Sequence, residues 1–260
     1  MSPADLKVSL IQSDLAWEAP DTNLRRLEEK IAALSGKSHI AILPETFTTG
    51  FSMNAPELAE EMDGPGVRWM QDCAHRYRII ITGSMIIRDG GHYHNRLIWA
   101  LPNGSRYCYD KRHLFSYAGE DVDFSPGTKR LIVQVNGWKI CPMICYDLRF
   151  PVWARNTDGY DVLLYIANWP ERRNEAWETL LKARAIENQS IVIGVNRVGT
   201  DGKGHRYIGN SSIYGPLGEL LAKADQADEC VVHYTLQHSV IADTRAQLPF
   251  LKDMDRFSLL

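Results

Sequence analysis

The stretch GWKICPMICYDLRFP, residues 137–151, contains the strongest indication of how this chain is built. An apolar run with the pattern of a strand ends abruptly at Cys145, and Tyr146, Asp147 and Arg149 follow at once. Buried strands do not usually finish with a thiol directly against charged residues. Cys145 is therefore either a small core residue near the edge of a sheet, as free cysteines commonly are, or a nucleophile held where a strand ends.

The chain on either side of this stretch alternates strand-like runs with amphipathic helical segments. The Asn136–Gly137 turn joins the run to LIVQV (131–135) in a hairpin, and PNGS (102–105) is the turn of a second hairpin. Helices are predicted over 21–35, 64–78 and 174–187. The other predicted strands are 6–12, 39–45, 79–87, 94–101, 106–112, 161–168, 190–196, 211–221 and 229–236.

The pattern also predicts two details of the helices. Asp21 or Thr22 is the expected N-cap of the first helix, because its side-chain oxygen can accept a hydrogen bond from a free backbone N–H. In the third helix, the residues expected to face inward are Trp177, Leu180, Leu181, Ala185 and Ile186.

These hairpins and helix–strand units predict an α/β fold of the layered α+β kind, a sandwich with sheets inside and helices outside. A chain of 260 residues lies at the upper end for a single domain, and no linker, low-complexity tract or repeat divides it. Residues 1–260 are therefore expected to form one domain.

Composition and charge argue against several classes of partner. The formal net charge of -3 gives no electrostatic reason to expect binding to nucleic acid or to an anionic membrane. No apolar stretch approaches the length of a membrane span, and the N-terminus lacks the apolar core of a signal peptide, so a cytoplasmic protein is expected. Five cysteines without a CxxC pair argue against a disulfide framework or a zinc ribbon.

Two further motifs carry no predicted function. HYH (92–94) places two histidines on one face of a strand without a third ligand, so no metal site is predicted. The glycine-rich segment GTDGKGHRYIG (199–209) lacks a phosphate-binding pattern and is predicted to be a hairpin connection.

Three residues with matching chemistry stand where predicted strands stop: Glu45, Lys111 and Cys145. A free cysteine is mostly protonated near neutrality and needs a base or a cation beside it. Glu45 could take the thiol proton, and Lys111 and the backbone N–H of Tyr146 could hold an oxyanion. Glu120 could orient the lysine or assist the proton transfers. The residues alone leave two possibilities open: a thiol hydrolase, or a solvated acid, a surface lysine and a buried cysteine that never meet.

The segments around these residues resemble the Glu–Lys–Cys motifs of the nitrilase superfamily of carbon–nitrogen hydrolases. In chain order they are LPETFTTGF around Glu45, YDKRHLF around Lys111 and ICYDLRFP around Cys145. Supporting matches are ARAIENQ (183–189), NRVG (196–199) and GNSSIYGPLGELL (209–221). Three separated motifs are far more specific than any one of them.

The resemblance implies a four-layer αββα sandwich, a homodimer, and hydrolysis of a small-molecule amide through a cysteine acyl-enzyme without a metal or an organic cofactor. It implies that Glu45 is the general base, Lys111 the oxyanion partner and Cys145 the nucleophile, with Glu120 as a second glutamate. The C-terminal tail, about 245–260, is expected to pack at the dimer interface.

The residues after the nucleophile indicate the branch of the superfamily. Nitrilases in the narrow sense typically carry Cys-Trp-Glu, whereas this chain has Cys145-Tyr146-Asp147. CYDLRFP, together with ANWPERRNEAW (167–177), resembles the bacterial omega-amidases, which deamidate monoamides of 2-oxo dicarboxylic acids such as 2-oxoglutaramate and 2-oxosuccinamate. The alternatives are another amidase of the superfamily, a carbamoylase or a non-catalytic scaffold.

A substrate that carries a carboxylate needs a cation in its binding pocket. Arg173 is the candidate, because a guanidinium can bind a carboxylate through two hydrogen bonds. The alternative for Arg173 is an exposed position at the start of a helix. Trp169 and Phe115 are the expected apolar walls of the pocket.

Overall fold

Two six-stranded sheets form the centre of the molecule in the computed structural model, which describes residues 3–225 and 227–258. A separate two-stranded hairpin lies outside them. The strands within these residues are β1 (Leu6–Gln12), β2 (Ile40–Ile42), β3 (Ile80–Asp89), β4 (His92–Ala100), β5 (Arg106–Asp110), β6 (Val133–Val135), β7 (Trp138–Ile144), β8 (Val162–Ala167), β9 (Ile191–Asn196), β10 (Val198–Thr200), β11 (Arg206–Ile208), β12 (Ser212–Tyr214), β13 (Leu220–Lys223) and β14 (Cys230–Leu236).

The two sheets have the same kind of topology. The first has the order β14-β1-β2-β3-β4-β5, with β1, β2 and β3 parallel and the remaining pairs antiparallel. The second has the order β13-β12-β9-β8-β7-β6, with β7, β8 and β9 parallel. Carboxyl ends of parallel strands meet at one edge of a sheet, which is where ligand sites of such sheets commonly lie.

Helices cover the outer face of each sheet. On the first sheet, α1 and α3 pack through buried residues such as Leu27 and Met70. On the second, α6 lies so close to β9 that a Cβ on Gly194 would come within 2.5 Å of Leu181. The helices are α1 (Pro20–Ala32), α2 (Ala55–Leu58), α3 (Pro65–Tyr77), α4 (Glu120–Asp123), α5 (Pro151–Ala154), α6 (Asn174–Asn188) and α7 (His238–Gln247).

The inner faces of the two sheets share one apolar core. Val8 and Ile42 of the first sheet and Ile140, Leu164 and Ile193 of the second are buried in the same cluster. Since each inner face is removed from water only by the other, the sheets stabilise each other through apolar burial. The predicted αββα sandwich is thereby confirmed.

Three local predictions are wrong. Helix α1 begins at Pro20, after Ala19 at the N-cap, and neither Asp21 nor Thr22 caps it; a proline fits the first helical position because its missing N–H would have no partner there. Ile186 is 47% exposed instead of facing inward. The run over 211–221 is two strands, β12 and β13, joined by a turn.

The glycine-rich segment 199–209 follows its prediction, since β10 and β11 pair there as an antiparallel hairpin. In the tail, Arg245 of α7 donates to the Asp161 carboxylate and to the carbonyl oxygens of Tyr160 and Gln189, which fixes α7 against the second sheet. Among the described helices none is both long and apolar enough to cross a membrane. The single domain, the homodimer and the role of the tail stay predictions.

Candidate active site

Cys145 lies at the sharp turn that follows β7. It is the first residue of a 3-10 turn, Cys145–Arg149, and its backbone has a φ of +44°. A non-glycine residue with positive φ is uncommon and costs conformational energy, and such residues concentrate at functional sites. The turn presents the half-buried Cys145 to a cavity, so the structure places the thiol where a substrate can reach it.

Glu45 follows β2 on the first sheet and is completely buried. Its Oε1 accepts hydrogen bonds from Asn95 Nδ2 at 2.8 Å and from Lys111 Nζ at 2.9 Å. Its Oε2 accepts one from the backbone N–H of Asn168 at 2.8 Å. Three donors from three different strands or strand ends therefore fix the Glu45 carboxylate in one orientation.

Lys111 follows β5 and is also buried, between two carboxylates. Its Nζ lies 2.9 Å from Glu45 Oε1 and 2.8 Å from Glu120 Oε2. Burial acts to lower the pKa of Lys111, but the charges of Glu120 and Glu45 outweigh it, so the pKa is raised and the ammonium stays charged. Glu120 is held in turn by the backbone N–H of Phe115, which donates to its Oε2 at 2.6 Å.

The Cys145 thiol is neutral in the resting site. Burial raises its pKa well above the ordinary value, and the negative charge of Glu45 raises it further, while Lys111 opposes the shift. The pKa of Glu120 is also raised, mainly by burial, with the charge of Lys111 opposing. Because the thiol holds its proton at neutral pH, attack on a carbonyl carbon needs a base beside it, and Glu45 is the base at hand.

A cavity of about 260 Å³ opens from Cys145 to the surface. It is lined by Phe115, Trp169 and Arg173, the residues that the sequence assigns to the substrate pocket. The Arg173 guanidinium lies 5.0 Å from the centre of the Phe115 ring. Burial lowers the pKa of Arg173, and the neighbouring Arg172 adds to this; a guanidinium nevertheless stays charged at physiological pH.

Several residues of this site were not predicted from the sequence. Arg149 also lines the cavity, with its guanidinium 4.9 Å from the centre of the Trp169 ring. Asn168 donates from its backbone N–H to Glu45 Oε2 and from its side chain to the Glu45 backbone oxygen, and the Cys145 thiol points at its carbonyl oxygen. Asn168 could have been found, because it directly follows the buried strand β8, as Glu45 follows β2.

The backbone of Tyr146 lies beside the nucleophile, and its side chain lines the cavity. Its N–H as an oxyanion donor stays a prediction. Within 3–225 and 227–258, no three His, Cys, Asp or Glu side chains are grouped to hold a metal ion. His92 and His94, the pair in the HYH motif, have hydrogen-bond contacts with the side chain and the backbone of Ser125.

The fold and this site together define a class of protein. A neutral thiol at a strand-end turn, beside a buried carboxylate and a buried ammonium, has the parts for nucleophilic attack on a carbonyl carbon and for proton transfer to a leaving group. The arrangement is that expected of a thiol hydrolase.

Comparisons with known proteins identify the family. The model of the carbon–nitrogen hydrolase family matches residues 7–246. Omega-amidase YafV of Escherichia coli K12 is 41% identical over 254 residues, covering 98% of both chains. The 2-oxoglutaramate amidase of Bacillus subtilis is 32% identical over 252 residues, covering 95% of this chain and 96% of that protein. The crystal structure of XC1258 from Xanthomonas campestris, a CN-hydrolase superfamily protein with an arsenic adduct in its active site, matches with a TM-score of 0.96 and 43% identity, over 98% of this chain and 99% of that one.

The chain therefore belongs to the carbon–nitrogen hydrolase family. This confirms the resemblance to the nitrilase superfamily and to its omega-amidase-like branch, and the prediction of an enzyme that hydrolyses amides. The roles of the individual site residues stay predictions.

Proposed function

We propose that this enzyme is an omega-amidase that cleaves the ω-amide of 2-oxo dicarboxylic acid monoamides, giving the dicarboxylate and ammonia. Two relatives that cover nearly the whole chain are omega-amidases or 2-oxoglutaramate amidases by name. The observation that carries the proposal is that one small cavity contains a cysteine and three arginines, Arg149, Arg172 and Arg173, and that Arg149 and Arg173 each lie against an aromatic ring of its wall. An anionic amide is the substrate that such a cavity would select.

In the proposed mechanism, Cys145 Sγ attacks the amide carbon while Glu45 accepts the thiol proton. Lys111 and the Tyr146 N–H stabilise the negative charge that develops on the amide oxygen. Glu45 then gives the proton to the leaving nitrogen, the C–N bond breaks, ammonia leaves, and a thioester with Cys145 stays behind. Water adds to the thioester as Glu45 takes one of its protons, and the C–S bond breaks. The acid is released and the proton returns to the thiol.

The substrate carboxylate is proposed to lie between Arg149 and Arg173, with Trp169 and Phe115 on either side of the carbon chain. Each guanidinium already lies against one of these rings, so the apolar walls hold the cations in place before a ligand arrives. A substrate of this size needs only a small cavity, and about 260 Å³ is available.

The test of the proposal is ammonia release from 2-oxoglutaramate and 2-oxosuccinamate, compared with glutamine, asparagine and carbamoyl-β-alanine. We expect selective hydrolysis of the two oxo-amides. If carbamoyl-β-alanine or a simple amide were the better substrate, the protein would still be a carbon–nitrogen hydrolase but not an omega-amidase. A carbamoylase would also release carbon dioxide, which is measured in the same samples.

Replacing Arg173 or Arg149 with glutamine is expected to weaken binding of the anionic substrate. A hydrogen bond to a charged group contributes about 1.5–3 kcal/mol, so we expect KM for 2-oxoglutaramate to rise about 10–100-fold. KM for pentanamide, a neutral amide of the same chain length, is expected to stay unchanged. Arg206→Gln is the matched control, because Arg206 is exposed, pairs with Glu171 and does not line the cavity. An unchanged KM for the anionic amide in both variants would contradict the carboxylate assignment.

A further inference from the structure

Asp147 connects the nucleophile turn with the segment that carries Lys111. Its side chain is completely buried, two residues after Cys145, yet it does not line the cavity. Its Oδ2 accepts a hydrogen bond from the Tyr109 hydroxyl at 2.7 Å and from the backbone N–H of Ile144 at 3.1 Å. One carboxylate oxygen thus bonds both to the residue before the nucleophile and to a residue of β5.

The second oxygen of Asp147 bonds to the other side of the lysine. Its Oδ1 accepts from the backbone N–H of His113 at 3.0 Å and lies 2.8 Å from His113 Nδ1. Tyr109 precedes Lys111 by two residues and His113 follows it by two. The residues on both sides of the lysine are therefore hydrogen-bonded to the same carboxylate.

A ring stack and a hydrogen bond from an indole add to these contacts between the two segments. The His113 ring stacks on Phe150, the residue after the 3-10 turn, with centroids 3.8 Å apart and planes 5° from parallel. Trp153 Nε1 of α5 donates to the Tyr109 hydroxyl at 3.0 Å, so that this hydroxyl has both a donor and an acceptor. A buried carboxylate whose two oxygens are both hydrogen-bonded holds its neighbours in one arrangement.

We infer that Asp147 is a positioning residue that sets the distance between the Cys145 nucleophile and the Lys111 ammonium. Cys145 belongs to the second sheet and Lys111 to the first, so their relative placement depends on contacts between the sheets. Asp147 supplies three of these contacts, to Tyr109 and His113, and a fourth to Ile144 next to the nucleophile. The inference rests on the roles proposed above for Cys145 and Lys111.

The test compares two variants, Asp147→Asn and Tyr109→Phe. Of these, Tyr109→Phe leaves every charge of the site in place. A displacement of about 1 Å at a catalytic group can reduce the rate about 100-fold. We expect kcat to fall about that much in Asp147→Asn and in the same direction, but less, in Tyr109→Phe. KM is expected to stay near the wild-type value, because neither residue lines the cavity. If Asp147→Asn does not fold, Tyr109→Phe alone decides.

A second measurement needs no substrate. Iodoacetamide alkylation of Cys145, followed by peptide mass spectrometry across a pH series, reports how closely the Lys111 ammonium approaches the thiol, because that charge lowers the thiol pKa. In Tyr109→Phe the alkylation profile should move to higher pH, because a more distant Lys111 ammonium offsets less of the effect of burial on the thiol pKa. If the wild-type enzyme released no ammonia from any amide, the proposed function would be wrong. The alkylation profile of Tyr109→Phe would still test the positioning role of Asp147.

The control is Arg184→Gln, which removes a different anchor of the same turn. Arg184 Nη2 donates to the Leu148 backbone oxygen at 2.7 Å from α6, without touching the Lys111 segment. We expect a lower melting temperature with kcat and the alkylation profile unchanged. The inference is overturned if Arg184→Gln loses as much kcat as Asp147→Asn, or if Asp147→Asn and Tyr109→Phe both keep wild-type kcat and the wild-type profile.

Discussion

Replacing Cys145 with alanine is expected to remove all measurable ammonia release. Among the described residues that line the cavity, Cys145 is the only cysteine, and loss of the proposed nucleophile is expected to cost on the order of 10⁶-fold in kcat. The fold should tolerate the change, since a half-buried thiol at a turn contributes little to packing. The measurement is ammonia release over hours at high enzyme concentration, with circular dichroism to show that the variant is folded.

Intact-mass spectrometry gives a second readout for Cys145. The wild-type enzyme mixed with substrate and quenched within one turnover should carry the mass of the acyl group, and Cys145→Ala should not. Cys141→Ala is the matched control, because Cys141 is a buried cysteine of β7 that lies outside the cavity lining. An acylated Cys145→Ala, or an inactive Cys141→Ala, would contradict the assignment of the nucleophile.

The raised pKa of the Cys145 thiol gives the sign of its pH dependence. The thiolate fraction grows as pH rises toward the pKa, and an ordinary thiol has a pKa of about 8.5. The burial and the Glu45 charge that raise the pKa of Cys145 should therefore keep its alkylation by iodoacetamide increasing beyond that pH. Free glutathione, alkylated in parallel, gives the profile of an ordinary thiol.

Much of the site followed from one feature of the sequence, namely that reactive residues end buried strands. Glu45, Lys111 and Cys145 each stand one to three residues beyond a strand, and the packing of the two sheets brings them together. Sequence spacing could not show this, because the contact between Glu45 and Lys111 joins residues 66 positions apart through strand order alone. The resemblance to the Glu–Lys–Cys motifs, and not the spacing, indicated that these residues form one site.

The parts that could not be predicted depend on backbone geometry within turns. Arg149 enters the cavity because the chain takes a 3-10 turn after Cys145, which itself has positive φ. No periodicity marks such a turn, and the direction of a side chain five residues after a strand does not follow from the strand pattern. Tyr207 reaches the same cavity from the β10–β11 hairpin; the hairpin was predicted, but its direction over the cavity depends on how it packs.

Replacing Lys111 with methionine is expected to damage both activity and stability. Loss of one oxyanion donor costs about 100- to 1000-fold in kcat, and the Glu45 carboxylate also loses its hydrogen-bonded cation. The ammonium and both carboxylates are fully buried, and breaking a buried ion pair from one side costs about 3–5 kcal/mol. Urea unfolding of wild type and variant measures the stability, and ammonia release measures the activity.

The stability loss in Lys111→Met should depend on pH. Without the charge of the lysine, burial and the repulsion from Glu45 raise the pKa of Glu120 above its already raised wild-type value, opposed by the hydrogen bond from the Phe115 backbone N–H. A carboxyl whose folded pKa lies above its unfolded value favours folding at low pH, and this contribution is lost as pH rises through the folded pKa. The variant should therefore be closer to wild-type stability at pH 5 than at pH 8.

A matched control separates burial from charge in this prediction. Lys30→Met also removes a lysine from an ion pair, with Glu229, but both side chains there are partly exposed, and such pairs contribute about 0–1 kcal/mol. We expect Lys30→Met to be nearly as stable as wild type at both pH values and fully active. If Lys111→Met were as stable as wild type at both pH values and lost only activity, the two glutamates would not need the lysine to remain buried. The role of Lys111 would then be confined to the reaction.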